Sequence, residues 1–124
     1  MTPREMGIFA LLGFGVWAPG AVTFRFGGHL MFESGPWVLL LVAIGVAVTV
    51  CLLLRTVMDW RKAPASQAVL VAVVMALPGL FGDAIYAVAF STITGLSPAT
   101  AGPFAAVVLF GNAALLAYAV VKAR

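Results

Sequence analysis

The chain has 124 residues, 64% of them hydrophobic and 9% charged, with seven Lys/Arg against four Asp/Glu and a mean hydropathy of +1.15. Soluble domains carry about 25% charged residues and a chain this short hides only part of its surface, so a water-soluble fold is excluded and the lipid bilayer is the expected environment. The pI near 9.6 does not point to nucleic acid, because the basic residues lie at the ends of apolar runs rather than in one patch.

The first apolar run, Met6 to Phe24, follows Arg4. It is longer than the apolar core of a secretory signal, about 7–15 residues, and cleavage after Ala21 would put Pro19 at −3, a poor match to A-x-A. It reads as a retained span over about 6–25, enough to cross a hydrocarbon core of about 30 Å. "RFGGHLMFES" follows and holds His29, the only histidine. Arg25, His29 and Glu33 would share a face if this stretch were helical, but Gly27-Gly28 argues against a rigid helix. One His and one Glu are too few for a metal site, which needs about three or four protein ligands, so no metal or other cofactor is expected.

The second span covers about 36–57 and opens on Pro36; the third covers about 67–90; the fourth, about 103–121, opens on Pro103. Proline suits a first helical position because its missing N–H has no intrahelical partner there. Lipid leaves a backbone only helices or closed barrels, and alternating strand patterns are absent. The fold class is therefore an all-α membrane protein, one four-span domain built as a bundle of two helical hairpins.

Arg4, Arg55, Arg61, Lys62, Lys122 and Arg124 fall on one side of such a bundle, and only Arg25 on the other. The positive-inside rule then puts both termini in the cytoplasm, in a cytoplasmic (inner or plasma) membrane. Trp37 and Trp60 sit near span ends as interfacial anchors. Cys51 excludes an internal disulfide and reads as a small buried hydrophobe.

Pro19-Gly20 in the first span is echoed by Pro78-Gly79 in the third, 59 residues later. Each pair precedes a charge, Arg25 and Asp83, and then a Gly-Pro opening into the next span. The pattern fits a tandem duplication of a two-helix hairpin, with coincidence as the other account. Pro19 and Pro78 each remove a backbone hydrogen bond and can kink their helices.

Asp83 is the only charge between Ala63 and Val121. At about 1.5 Å per residue it lies about 10 Å below the outer end of its span, and Asn112 lies at about 13 Å on the returning helix. Trp17 is about 12 Å deeper than Arg25, and Tyr86 shares the face of Asp83 at i+3. Asp83, Arg25, Asn112, Tyr86 and Trp17 thus form the candidate intramembrane polar site. A lipid-facing carboxylate costs about 2.5–3.5 kcal/mol on insertion scales, so Asp83 should face inward. Paired with Arg25 it is an ionised packing element; unpaired, it is a neutral acid able to carry protons. Gly111, Ala113, Ala114 and Ala117 around Asn112, with Ala43-x-x-x-Ala47 and Gly45-x-x-x-Thr49, mark close helix contacts.

No Ser/His/Asp, H-E-x-x-H, P-loop or dinucleotide pattern is present, so no enzymatic role and no catalytic residue is assigned. Four spans in a short chain are similar to the small multidrug resistance exporters, but those carry a glutamate in mid first span, and here no acidic residue lies between Met6 and Phe24. "FRFGGHLMF" after a Trp-containing first span, the Pro78–Asp83 spacing with Phe90 beyond it, and "LLAYAVV" in the last span resemble a family of small bacterial four-span proteins of unknown function. That resemblance implies a compact integral membrane protein and supplies no activity. Two readings stand. The first is a non-enzymatic structural or interaction module built on an Arg25–Asp83 pair, acting as a homo-oligomer or through a membrane-protein partner. The alternative is a small proton-coupled transporter or exporter with Asp83 as the titrating group.

Overall fold

A computed structural model describes residues 1–124. The chain is all helix: α1 (Pro3–Glu33), α2 (Pro36–Arg61), α3 (Ala68–Val88), a short α4 (Phe90–Thr94) and α5 (Ala101–Ala123), with 3₁₀ turns at Ala65–Gln67 and Pro98–Thr100. Four of these segments are long and apolar enough to cross a membrane, which makes this a multi-pass membrane protein. Their ends carry recognisable stops and starts. Thr2 and Glu5 close a reciprocal capping box on α1. Gly35, at φ 111°, turns the chain into Pro36 at the head of α2, a backbone conformation that favours glycine. Gly95, at φ 74°, ends α4.

The helix does not stop at Arg25. It runs unbroken through Gly27 and Gly28 to Glu33, against the expectation of an irregular outer loop. The reason is packing. Gly28 is buried, and a Cβ there would come within 3.2 Å of Leu96, so the glycine admits the chain beyond α4 and tertiary contact overrides intrinsic propensity. Glu33 helps to hold that segment, accepting from the Thr100 hydroxyl at 3.1 Å. At 31 residues α1 is about 46 Å long, longer than the hydrocarbon core.

Packing joins the two halves of the chain. Helix α1 lies mainly along α3 and α2 along α5, α3 and α5 also meet, and α1 and α2 barely touch although two residues connect them. Pro19 and Pro78 both lie inside their helices, yet the halves differ: α1 continues to Glu33, whereas α3 breaks at Ala89 before α4. Two apolar clusters bracket the bundle. One gathers Phe9, Leu54, Met58, Val71 and Leu115; the other gathers Phe32, Tyr86, Phe90, Phe104 and Val107. In the second, Phe104 stacks on Tyr86 at 4.9 Å between ring centroids and meets Phe32 edge-on at 5.9 Å.

Small residues permit close helix approaches. A Cβ on Gly13 would run into the Met75 carbonyl oxygen, and one on Gly111 would fall 2.9 Å from Val46. Ala43 and Ala47 are buried as the helix-contact reading requires, but Gly45 and Thr49 are exposed and nothing lies within 4 Å of a Cβ on Gly45. That face of α2 therefore borders open space instead of a neighbouring helix. Because the obstacle at Gly13 is backbone, Gly13→Ala should destabilise the protein by about 3 kcal/mol, the upper end of overpacking costs. Gly15→Ala on the same helix, exposed and with nothing within 4 Å, should cost nothing and raise stability by up to about 1 kcal/mol through helix propensity. Thermal unfolding of both variants in nanodiscs checks this.

Candidate functional site

Asp83 lies on α3 and is half-buried. Its Oδ1 accepts a hydrogen bond of 2.8 Å from the indole Nε1–H of Trp17 on α1, well within hydrogen-bond length. Glycines seat that indole. A Cβ on Gly82 would come within 2.5 Å of Trp17 Cζ2, and one on Gly79 within 3.1 Å of Cδ1. The Gly79-x-x-Gly82 face of α3 is thus a trough into which the ring lies, bringing its N–H to the carboxylate one residue further on.

The pair lines a cavity of about 460 Å³ in the middle of the bundle, within the range typical of small-molecule sites, about 300–1,000 Å³. Its walls come from α1, α2, α3 and α5 and are mostly apolar, with Asp83, Asn112, Thr23 and Thr49 as the polar side chains besides Trp17. Since α1 and α2 barely touch and Thr23, Gly45 and Thr49 are exposed, the cavity opens sideways between these two helices.

Of the five polar residues singled out in the sequence, three share this cavity: Trp17, Asp83 and Asn112. Tyr86 does not. It is buried in the aromatic cluster and donates its hydroxyl to the Ala21 carbonyl at 3.1 Å, a second tie between α3 and α1. Arg25 is also elsewhere. The expected Arg25–Asp83 pair is not formed: Arg25 is exposed, its guanidinium lies 5.6 Å from the Phe26 ring centroid, and the one salt bridge in the structure is His29–Glu33 at 3.2 Å. The physical reason is the unbroken helix. With α1 regular through this region, Trp17, two turns before Arg25, is the residue that faces Asp83, and its neutral N–H satisfies the carboxylate without a second charge.

Sequence reading missed four contributors to the cavity. Thr23 and Thr49 resemble any membrane-helix hydroxyls, and Gly20 and Gly45 resemble packing glycines. The one available signal was spacing, since Val42, Gly45 and Thr49 recur at helical intervals on α2. No three His, Cys, Asp or Glu side chains come together.

A family model described as a family of unknown function, DUF5367, matches residues 31–124. The chain belongs to that family. The matched segment takes in the end of α1 and all of α2 to α5, so Asp83, Asn112 and Tyr86 lie within it and Trp17 before it. No curated protein and no solved structure matches the chain.

The Trp17–Asp83 bond has a measurable worth. A hydrogen bond contributes about 0.5–1.5 kcal/mol, rising to about 1.5–3 kcal/mol when the acceptor is ionised, so a double-mutant cycle with Trp17→Phe and Asp83→Ala should return a coupling energy of about 0.5–3 kcal/mol. Unfolding in nanodiscs measures it; additive effects of the two substitutions would show that the bond contributes nothing.

Proposed function

We propose that the protein is a small membrane transporter in which Asp83 is the group that takes up and releases a proton. The observation that carries this reading is the setting of the carboxylate: it stands in the wall of a side-opening cavity, held by a neutral indole and by no basic residue. An ionisable side chain inside a membrane bundle is by default a functional group with a route to water or substrate. The structural-module reading drew its support from an ion pair, and Asp83 makes none.

The same proposal places the protein as a single domain in the cytoplasmic membrane with both termini inside. The support is the distribution of charge. Arg4, Arg55, Arg61, Lys62, Lys122 and Arg124 gather at one end of the bundle. The cavity lies between the two apolar clusters. A transporter needs such closures on either side of its site, so that rocking of helices can expose the site to one face at a time.

Reconstituted vesicles loaded with a pH-sensitive dye test the reading. Wild-type protein should dissipate an imposed pH gradient faster than protein-free vesicles. Asp83→Asn should remove that difference while retaining the wild-type circular dichroism and elution profile. Proton flux that equals the protein-free rate, or that persists in a folded Asp83→Asn variant, refutes it.

A further inference from the structure

The polar groups of the cavity share one property. Thr23 Oγ1 donates to the Pro19 carbonyl at 2.9 Å, Thr49 Oγ1 to the Gly45 carbonyl at 2.7 Å, and Asn112 Nδ2 to the Val108 carbonyl at 2.9 Å. Each partner is a carbonyl oxygen, so in every case the side chain must be the donor. Trp17 spends its single N–H on Asp83 Oδ1. All of these donors except the second N–H of Asn112 are therefore committed to the protein, and what remains free is mostly acceptor capacity: Asp83 Oδ2, Asn112 Oδ1 and the lone pairs of two hydroxyls. Asp83 carries the only formal charge in the lining. A site that holds acceptors, one negative charge and the Trp17 ring in its wall is complementary to a cation with N–H donors. Against a carboxylate or phosphate it sets the Asp83 carboxylate and no basic residue, with one free amide N–H from Asn112 as the donor.

The rest of the lining selects the body of the ligand. Val16, Val42, Val46, Leu53 and Val108 present apolar wall, and Gly20 and Gly45 leave unfilled the space that side chains there would take. The opening between α1 and α2 runs along the flank of the bundle, where amphipathic molecules concentrate from lipid. We propose that this cavity binds a protonated amphipathic amine, with the ammonium group at Asp83 and Trp17 and the apolar body between α1 and α2, entering sideways from the bilayer. The inference rests on Asp83 as the ligand-binding group of the proposed transporter, and it names the class of substrate. Asp83 can hold either the ammonium group or a proton, and the site is neutral in both states.

Binding is measured at equilibrium, separately from flux. The probe is dansylcadaverine, an amine with an environment-sensitive aromatic body, titrated into nanodiscs with and without protein. Its N-acetylated form, which keeps the body and loses the charge, is the control. Wild-type protein should raise dansyl emission in a saturable way with the amine, and at least tenfold more weakly with the acetylated form. Asp83→Asn should weaken amine binding at least tenfold. Gly45→Leu, whose Cβ meets nothing within 4 Å, should fold and abolish binding by filling the cavity. Equal binding of the two probes to wild-type protein would mean a groove for acyl chains and would overturn the assignment, as would amine binding untouched by Gly45→Leu. Amine binding that depends on Asp83 without any vesicle flux would keep the ligand and remove the transport reading. Proton flux with no amine binding would do the reverse.

Discussion

The hydrogen bond from Trp17 to Asp83 is the contact on which the centre of this bundle depends. A carboxylate in a membrane helix is costly by several kcal/mol if it faces lipid, and the cost is reduced only by a partner or by water. Here one oxygen is met by an indole N–H at 2.8 Å, and the residue borders a cavity rather than lipid alone. The partner is neutral, so the site keeps whatever charge the carboxylate carries. An arginine in the same place would have cancelled that charge and left a packing element. Substituting an indole for a guanidinium turns a closed pair into an open site.

That bond is possible because α3 is notched. Gly79 and Gly82 lie on the face that receives the Trp17 ring, and either Cβ would strike it. Pro78 precedes them inside the helix, and its missing N–H leaves the carbonyl one turn earlier without its usual partner. The Pro78-Gly79 pair thus serves a seat for an aromatic side chain. Pro19-Gly20 on α1 serves no such seat, since nothing lies within 4 Å of a Cβ on Gly20. Similar dipeptides in the two halves have different surroundings.

Four apolar helices and an intramembrane carboxylate were legible in the sequence because both are matters of composition and length. Three of the five polar candidates, Trp17, Asp83 and Asn112, meet at one cavity because depth follows from residue count along a helix. Rotation about the helix axis was less legible. Depth arithmetic puts Arg25 and Asp83 in the same half of the bundle, but the facing residue is chosen by packing, and packing put Trp17 there. The Gly27-Gly28 pair misled for the same reason: propensity speaks against a helix, while burial of Gly28 against Leu96 holds one in place. The hydroxyls of Thr23 and Thr49 carried no signal, since i−4 bonds of this kind occur on any membrane helix.

The opening between α1 and α2 follows from two close crossings elsewhere in the bundle. Gly13 lets α1 approach the backbone of α3 at Met75, and Gly111 lets α5 approach α2 at Val46. Each crossing draws one member of the first hairpin toward a helix of the second half. With α1 pulled onto α3 and α2 onto α5, the two-residue connection at Ser34–Gly35 is left as the chief tie between α1 and α2. The faces they turn toward each other carry Gly20 and Gly45, too small to bridge the gap. Larger residues there would bring the walls into contact and close the bundle around a buried carboxylate. The cavity is therefore not a failure of packing. It is the consequence of packing that is tight elsewhere, and it lies where the one intramembrane carboxylate has an oxygen to offer.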